Sequence, residues 1–125
     1  RLEFDYSDLK AFEFSPEEFI PAPAQGVLAL QTRSDDSELM EVLRNIHDDG
    51  VGSCISVERK VLNLFDGGCQ LPLGAYCTER DGIYDLRVAM AKTVNHSVIR
   101  AEFIGDTGEN LAERAVQALK KKVPS

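Results

Sequence analysis

Cys69 follows Gly67 and Gly68 directly and is followed by Gln70-Leu71-Pro72-Leu73-Gly74, so its thiol falls on a turn and not inside a helix or strand pattern. A cysteine that only fills a core usually sits among large apolar neighbours in a regular element. A Gly-Gly-Cys turn bends freely and presents the sulfur to an adjoining cleft, where a thiolate can act as a nucleophile. Three other chemistries find less support. A metal site would need closely spaced ligands, but Cys54, Cys69 and Cys77 are separated by 14 and 7 residues and form no Cys-x-x-Cys pair, while His47 and His96 have no partner near them in sequence. Nothing in the spacing joins His47 to Cys69 as a base–nucleophile pair. Gly67-Gly68 follows a helix and precedes a strand, the reverse of the strand–loop–helix order of a phosphate-binding loop.

The elements that must position this turn follow from periodicity. Gly26–Thr32 is a short apolar run bounded by turn residues and reads as a buried strand. Ser34–Ser37 supply helix-starting side chains, and Leu39, Val42, Leu43 and Ile46 recur at helical spacing until Asp49-Gly50. A second helix is expected from about Ser53, with Cys54, Val57, Val61, Leu62 and Phe65 on its buried face, Glu58, Arg59 and Lys60 on its outer face, and Gly67-Gly68 at its end. Beyond Cys69 the period changes to two. Ala75–Arg80 and Ile83–Ala91 flank Asp81-Gly82, a hairpin signal, and Val98–Ile104 makes a third strand. Asp106, with Glu109 three residues on, is expected to cap a final helix striped by Leu111, Ala115 and Leu119. The fold class is therefore α+β: a three-stranded antiparallel sheet with helices on one face, in the order helix-helix-strand-strand-strand-helix.

Bulk properties set limits on function. A chain of 125 residues is one domain, or one domain plus part of another. A net charge of −7 leaves no basic face for nucleic acid, and Lys120–Lys122 complement the negative end of the final helix. No apolar run reaches the roughly 20 residues of a membrane span, and the opening residues do not read as a basic-then-apolar leader. Three cysteines, an odd number, fit no disulfide framework, which suggests a reducing, cytoplasmic setting; Cys54 and Cys77 read as structural. Residues 1–23 carry Phe12, Phe14 and Phe19 without a period of their own, and the chain opens on Arg1. A fragment of a longer protein is expected, with a plastid form also open.

The strings Ser56-Val57-Glu58-Arg59, Leu62-Asn63 and Phe65-Asp66-Gly67-Gly68-Cys69-Gln70-Leu71-Pro72-Leu73-Gly74-Ala75 resemble the cofactor-attachment region of the porphobilinogen deaminase (hydroxymethylbilane synthase) family, and Pro21–Gly26 followed by Arg33 resembles its upstream Pro-Ala-x-Gly-Gln-Gly…Arg segment. The resemblance covers nearly the whole chain. It implies a transferase of porphyrin and heme biosynthesis that condenses four porphobilinogen units into the tetrapyrrole hydroxymethylbilane. It further implies a dipyrromethane cofactor held by a thioether to Cys69, with Gly68 beside it, Arg59 and Arg33 gripping carboxylate arms, Gln25 and Gly26 approaching through amide and backbone, and Arg1 as a further matching arginine. Residues 1–45 would then be a tail of domain two plus a return strand and helix of the first domains, and 46–125 the attachment domain. The catalytic carboxylate would lie in missing N-terminal domains, leaving this piece inactive alone. Its partners would be porphobilinogen and oligopyrrole intermediates, those missing domains and, through the bare Gly26–Thr32 strand, a second copy of itself. Ala24 departs from the family pattern, which has glycine there. The competing readings are a small α+β module that binds carboxylates without covalent chemistry, and a purely structural interaction domain.

Overall fold

The computed structural model describes residues 7–65, 72–93 and 95–122. Three helices, α1 (Ser37–Arg44), α2 (Asp49–Leu64) and α3 (Leu111–Lys122), combine with strands β1 (Leu73–Arg80), β2 (Ile83–Met90) and β3 (Ile99–Gly105) in the expected order. The strands form one antiparallel meander, β1-β2-β3, with Ala75 opposite Val88 and Val88 opposite Ala101. The hairpin turn has positive φ at both Asp81 (53°) and Gly82 (79°), the conformation that the right-handed strand twist demands of a two-residue loop.

The period-two residues of β1 and β2 explain where the core sits. Ala75, Cys77, Leu86 and Val88 turn to the face covered by α2 and α3, where they meet Val57, Val61, Leu111, Ala115 and Leu119. Leu86, Leu111, Leu119 and Val61 are wholly buried, and each contributes about 1.5–3 kcal/mol from removing its side chain from water. Lys60 and Glu113 join α2 to α3 at 2.6 Å, while Lys120 donates to the Leu64 carbonyl and lies over the Phe65 ring. The last contact satisfies a carbonyl that the end of α2 leaves open.

Residues 15–22 run over the opposite face of the sheet and reach the β1 edge. Arg87 in β2 forms ion pairs with Glu17, Asp85 and Glu102, and Arg100 in β3 donates to the carbonyls of Glu17 and Glu18. The chain then reaches the edge of β1, where Ala75 N–H donates to the Pro21 carbonyl at 3.0 Å. Gly74 makes this approach possible, because a Cβ there would stand 2.7 Å from the Ile20 carbonyl oxygen.

Several sequence expectations are corrected. Gly26–Thr32 pairs with no strand among the described residues and is exposed, Leu28 at 93%. An apolar run becomes a strand only by pairing with a sheet edge; the Pro21 region takes that of β1, and the run does not pair with that of β3. Asp49-Gly50 does not stop the first helix: α1 ends at Arg44, and Asp49 opens α2 because Asp48 caps it, accepting from Val51 N–H at 2.9 Å. Asp106 and Glu109 lie in the turn before α3 and are not its cap. The helix end expected at Gly67-Gly68 lies outside the described residues, with α2 closing at Leu64 and Phe65. Glu58, placed on the outer face of α2 by its charge, is 4% exposed. α1 has the expected amphipathic stripe and an Asp36 cap, yet buries no residue.

Candidate functional site

Glu58 organises the ground where α2, β1 and residues 21–27 meet. It lies one turn after Cys54 on α2, so both project from the same side of the helix. Its Oε1 accepts from Cys77 N–H at 2.8 Å, and its Oε2 accepts from Ala24 N–H at 2.7 Å. A single buried carboxylate thus ties a helix, a strand and a loop together. Burial pushes its proton affinity above the ordinary carboxylate value, and the two amide bonds pull partly the other way.

The loop is shaped for this bond. Ala24 has φ of 61°, a left-handed conformation that costs a β-carbon residue roughly 1–2 kcal/mol and that glycine would adopt freely. Gln25 closes the turn, its N–H donating to the Ala22 carbonyl at 3.1 Å and its Oε1 accepting from Ala22 N–H at 3.2 Å. Beneath the loop lies a cavity of about 510 Å³ with Pro21, Ala22, Gln25 and Val27 on one side and Cys54, Glu58, Cys77 and Arg80 on the other. Burial raises the proton affinity of the Cys54 and Cys77 thiols.

The residues expected to serve a cofactor are distributed as follows. Gln25 lines the cavity. Gly26, with φ of 84°, lies at the adjoining groove formed with residues 27–30 and α1. Arg59 is exposed on α2 beside Glu58 and forms no ion pair among the described residues. Arg33 stands apart, lining a separate pocket with Asp35, Asp36, Ser37 and Glu38 at the start of α1. Cys69, Gly68 and Arg1 lie outside the described residues. No group of three or more His, Cys, Asp or Glu side chains suited to a metal ion occurs among the described residues. Glu58 and Arg80 were not foreseen as parts of a site. Glu58 sits between Cys54, Val57, Val61 and Leu62 in the helical apolar stripe, and that position was the signal its charge concealed.

Together the fold and this site define an α+β domain in which a helix and the edge strand of a small antiparallel sheet are joined to an upstream loop through one buried carboxylate. A family model for "Porphobilinogen deaminase, C-terminal domain" matches residues 53–122, more than half of the chain. The chain belongs to the porphobilinogen deaminase family. It is similar to curated proteins named porphobilinogen deaminase from Corynebacterium diphtheriae (39% identical over 108 residues, 85% of this chain and 37% of the relative) and Chlorobaculum parvum (37% over 103 residues, 82% and 32%). A third, from an Exiguobacterium species, is 31% identical over 115 residues, 92% of this chain and 37% of the relative. The chain thus spans about a third of the length of these relatives. No helix among the described residues is long and apolar enough to cross a membrane.

Proposed function

We propose that this chain is the cofactor-attachment part of a longer porphobilinogen deaminase, a transferase that condenses four porphobilinogen units head to tail into hydroxymethylbilane. The observation that carries the reading is the match of residues 53–122 to that family's C-terminal domain, with the Gly67-Gly68-Cys69 string inside it. On this reading residues 1–45 belong with the earlier domains and 46–125 form the attachment domain. The catalytic carboxylate lies outside this sequence, and the chain is inactive by itself. The family works with a dipyrromethane group, which when bound provides the pyrrole end on which the chain is extended.

The described residues fit such a group at Arg59. Its exposed guanidinium has no carboxylate partner among the described residues, and a planar fork of donors suits an acetate or propionate arm. Arg33, which lines a separate pocket with Asp35, Asp36 and Glu38, is a second candidate. Arg1 and Gly68 are assigned on the sequence motif. Gln25 and Gly26 stand on the loop that Glu58 holds by the Ala24 amide, so their backbone is oriented before any ligand arrives. Cys69 supplies the sulfur for the thioether. A reducing, cytoplasmic setting agrees with the free thiols of Cys54 and Cys77. The exposed 27–30 segment supports a further proposal, that the chain alone associates with a second copy.

Intact mass and peptide mapping of the longer enzyme carrying this sequence test the assignment. A dipyrrole adduct on the peptide containing Cys69 is expected, together with loss of both adduct and turnover in Cys69→Ser. Full turnover by Cys69→Ser would instead favour a carboxylate-binding module without covalent chemistry.

A further inference from the structure

We propose that Arg87 and Arg100 are positioning residues for the candidate site: as a clasp on the outer face of the sheet they seat residues 15–22 as a strap, and through the strap they hold the Gln25–Gly26 loop over α2. Both stand on the face turned away from the helices, because Arg87 lies opposite Glu102 in the β2–β3 register and Arg100 precedes Glu102 by two residues on β3. The two guanidiniums grip the strap differently. Arg87 is oriented from within the sheet: its Nε and Nη2 donate to Asp85 Oδ2 at 3.2 and 3.0 Å, and Nη2 also reaches Glu102 Oε1 at 3.3 Å. Nη1 is left to pair with Glu17. A planar fork already locked on one side loses little freedom when it takes a further partner.

Arg100 forms no ion pair among the described residues. Its Nη1 and Nη2 donate instead to the Glu17 and Glu18 carbonyls, at 3.3 and 3.0 Å. Those carbonyls are presented together because residues 15–19 make one helical turn, in which Phe19 N–H donates to the Ser15 carbonyl at 2.9 Å and the Glu18 side chain accepts from Ser15 N–H at 3.2 Å. Carbonyls at the end of such a turn have no partner within it and attract a cation. One arginine thus takes the turn by its acidic side chain and the other by its backbone, and both line a hollow of about 330 Å³ with Pro16, Glu17 and Ile20.

The strap runs from this clasp to the loop with little slack. Beyond Glu18, the Pro21 carbonyl accepts from Ala75 N–H at 3.0 Å on the β1 edge, and beyond Pro21 the Ala24 N–H donates to Glu58 Oε2 at 2.7 Å. Successive anchors are therefore separated by no more than roughly 11 Å of chain, and a shift of the strap on the sheet must strain or break the bond at Ala24. Ala24 is itself held at φ of 61°, against the preference of a residue with a β-carbon, so it relaxes once the anchors before it let go. The register of Gln25 and Gly26 is in this way set from the far face of the sheet. The inference rests on the cofactor-attachment reading only for the ligand that Gln25 and Gly26 serve; the coupling of clasp to loop belongs to this chain by itself.

The test is amide-resolved hydrogen exchange of the native chain, compared with Arg100→Gln and with Glu17→Gln, which removes the strap partner of Arg87 and leaves the sheet intact. Each substitution is expected to speed exchange at Ala24 and Ala75 by about tenfold or more, while the amides of Leu86 and Val88 in the central strand keep their rates, because only a local opening has become easier. Arg100→Lys keeps a cation that can donate to one carbonyl, and its exchange at Ala24 is expected between those of Arg100→Gln and the unsubstituted chain. If Arg100→Gln does not fold, Glu17→Gln decides, since the Glu17 side chain is 61% exposed and lies outside the core. Unchanged exchange at Ala24 in both variants would overturn the proposal by showing that Glu58 alone fixes the loop. Acceleration shared equally by Leu86 and Val88 would overturn it as well, as a general loss of stability. Neither outcome bears on the cofactor reading, which stands or falls on the adduct at Cys69 in the longer enzyme.

Discussion

At the scale of the residue, Glu58 shows how one side chain can be misjudged by its charge and recovered by its position. Its spacing from Cys54, Val61 and Leu62 places it in the buried stripe, but an acidic residue beside Arg59 and Lys60 reads as solvent-facing. What reverses the reading is the presence of two backbone donors, from Ala24 and Cys77, that no sequence pattern reveals. Leaving either donor buried without an acceptor costs about 1–3 kcal/mol. Glu58→Gln keeps one carbonyl oxygen and turns an amide NH2 toward the other donor, so a loss of about 1–3 kcal/mol is expected at mildly acidic pH. The pH dependence has a definite sign. Because burial raises the folded-state proton affinity, the folded chain binds more proton than the unfolded one between the ordinary carboxylate value and the raised one. Stability from this group is therefore fullest below the ordinary value and falls as pH rises through the raised one. Urea unfolding from pH about 4 to about 7 should show the advantage of wild type over Glu58→Gln narrowing with pH. A constant difference across that range would refute the assignment.

At the scale of the element, what was legible depended on whether the decisive contacts were local. The Asp81-Gly82 turn, the alternation of β2 and the stripes of α2 and α3 are local signals, and all appear in the structure where the sequence placed them. The start of α2 was displaced because Asp48 and Ser53 both have cap chemistry, and the more N-terminal one holds the first turn. The Gly26–Thr32 run failed as a strand for a non-local reason, since pairing depends on a free edge and residues 20–22 occupy that of β1. Gly74 decides that competition. The Ile20 and Pro21 carbonyl oxygens lie 2.7 and 3.1 Å from a Cβ at this position, and backbone atoms cannot rotate aside as a side chain could. Gly74→Ala should therefore detach the segment from β1, accelerate amide exchange at Ala75 and destabilise the chain by about 1–3 kcal/mol. Unchanged protection of the Ala75 amide would show that the segment shifts without letting go. The candidate site was legible to the same degree: Gln25 and Gly26 stood out as a motif, whereas the cavity beneath their loop arises from Glu58 joining elements distant in sequence.

At the scale of the whole molecule, the apolar surface is unevenly distributed. α2 and α3 bury their stripes against the sheet, while Leu28, Leu30 and Ile46 remain exposed around a groove between residues 26–30, α1 and the start of α2. A face of this kind on a chain that spans about a third of its relatives is favourable to cover, and for the isolated chain the available cover is a second copy. The net charge of −7 opposes that association by long-range repulsion, whereas burial of leucine side chains favours it at contact. Added salt screens the first and leaves the second, because the Debye length falls to about 8 Å at physiological ionic strength. Sedimentation at tens of micromolar should accordingly give a mass above the 13.8 kDa of one chain, more so at higher salt. The double substitution Leu28→Glu with Leu30→Glu should restore the single-chain mass while leaving the α2–α3–sheet core, and hence the unfolding midpoint of the monomer, nearly unchanged. A single-chain mass for the unsubstituted protein at every salt concentration would show that electrostatic repulsion outweighs this face, and that the groove gains its cover only within the longer enzyme.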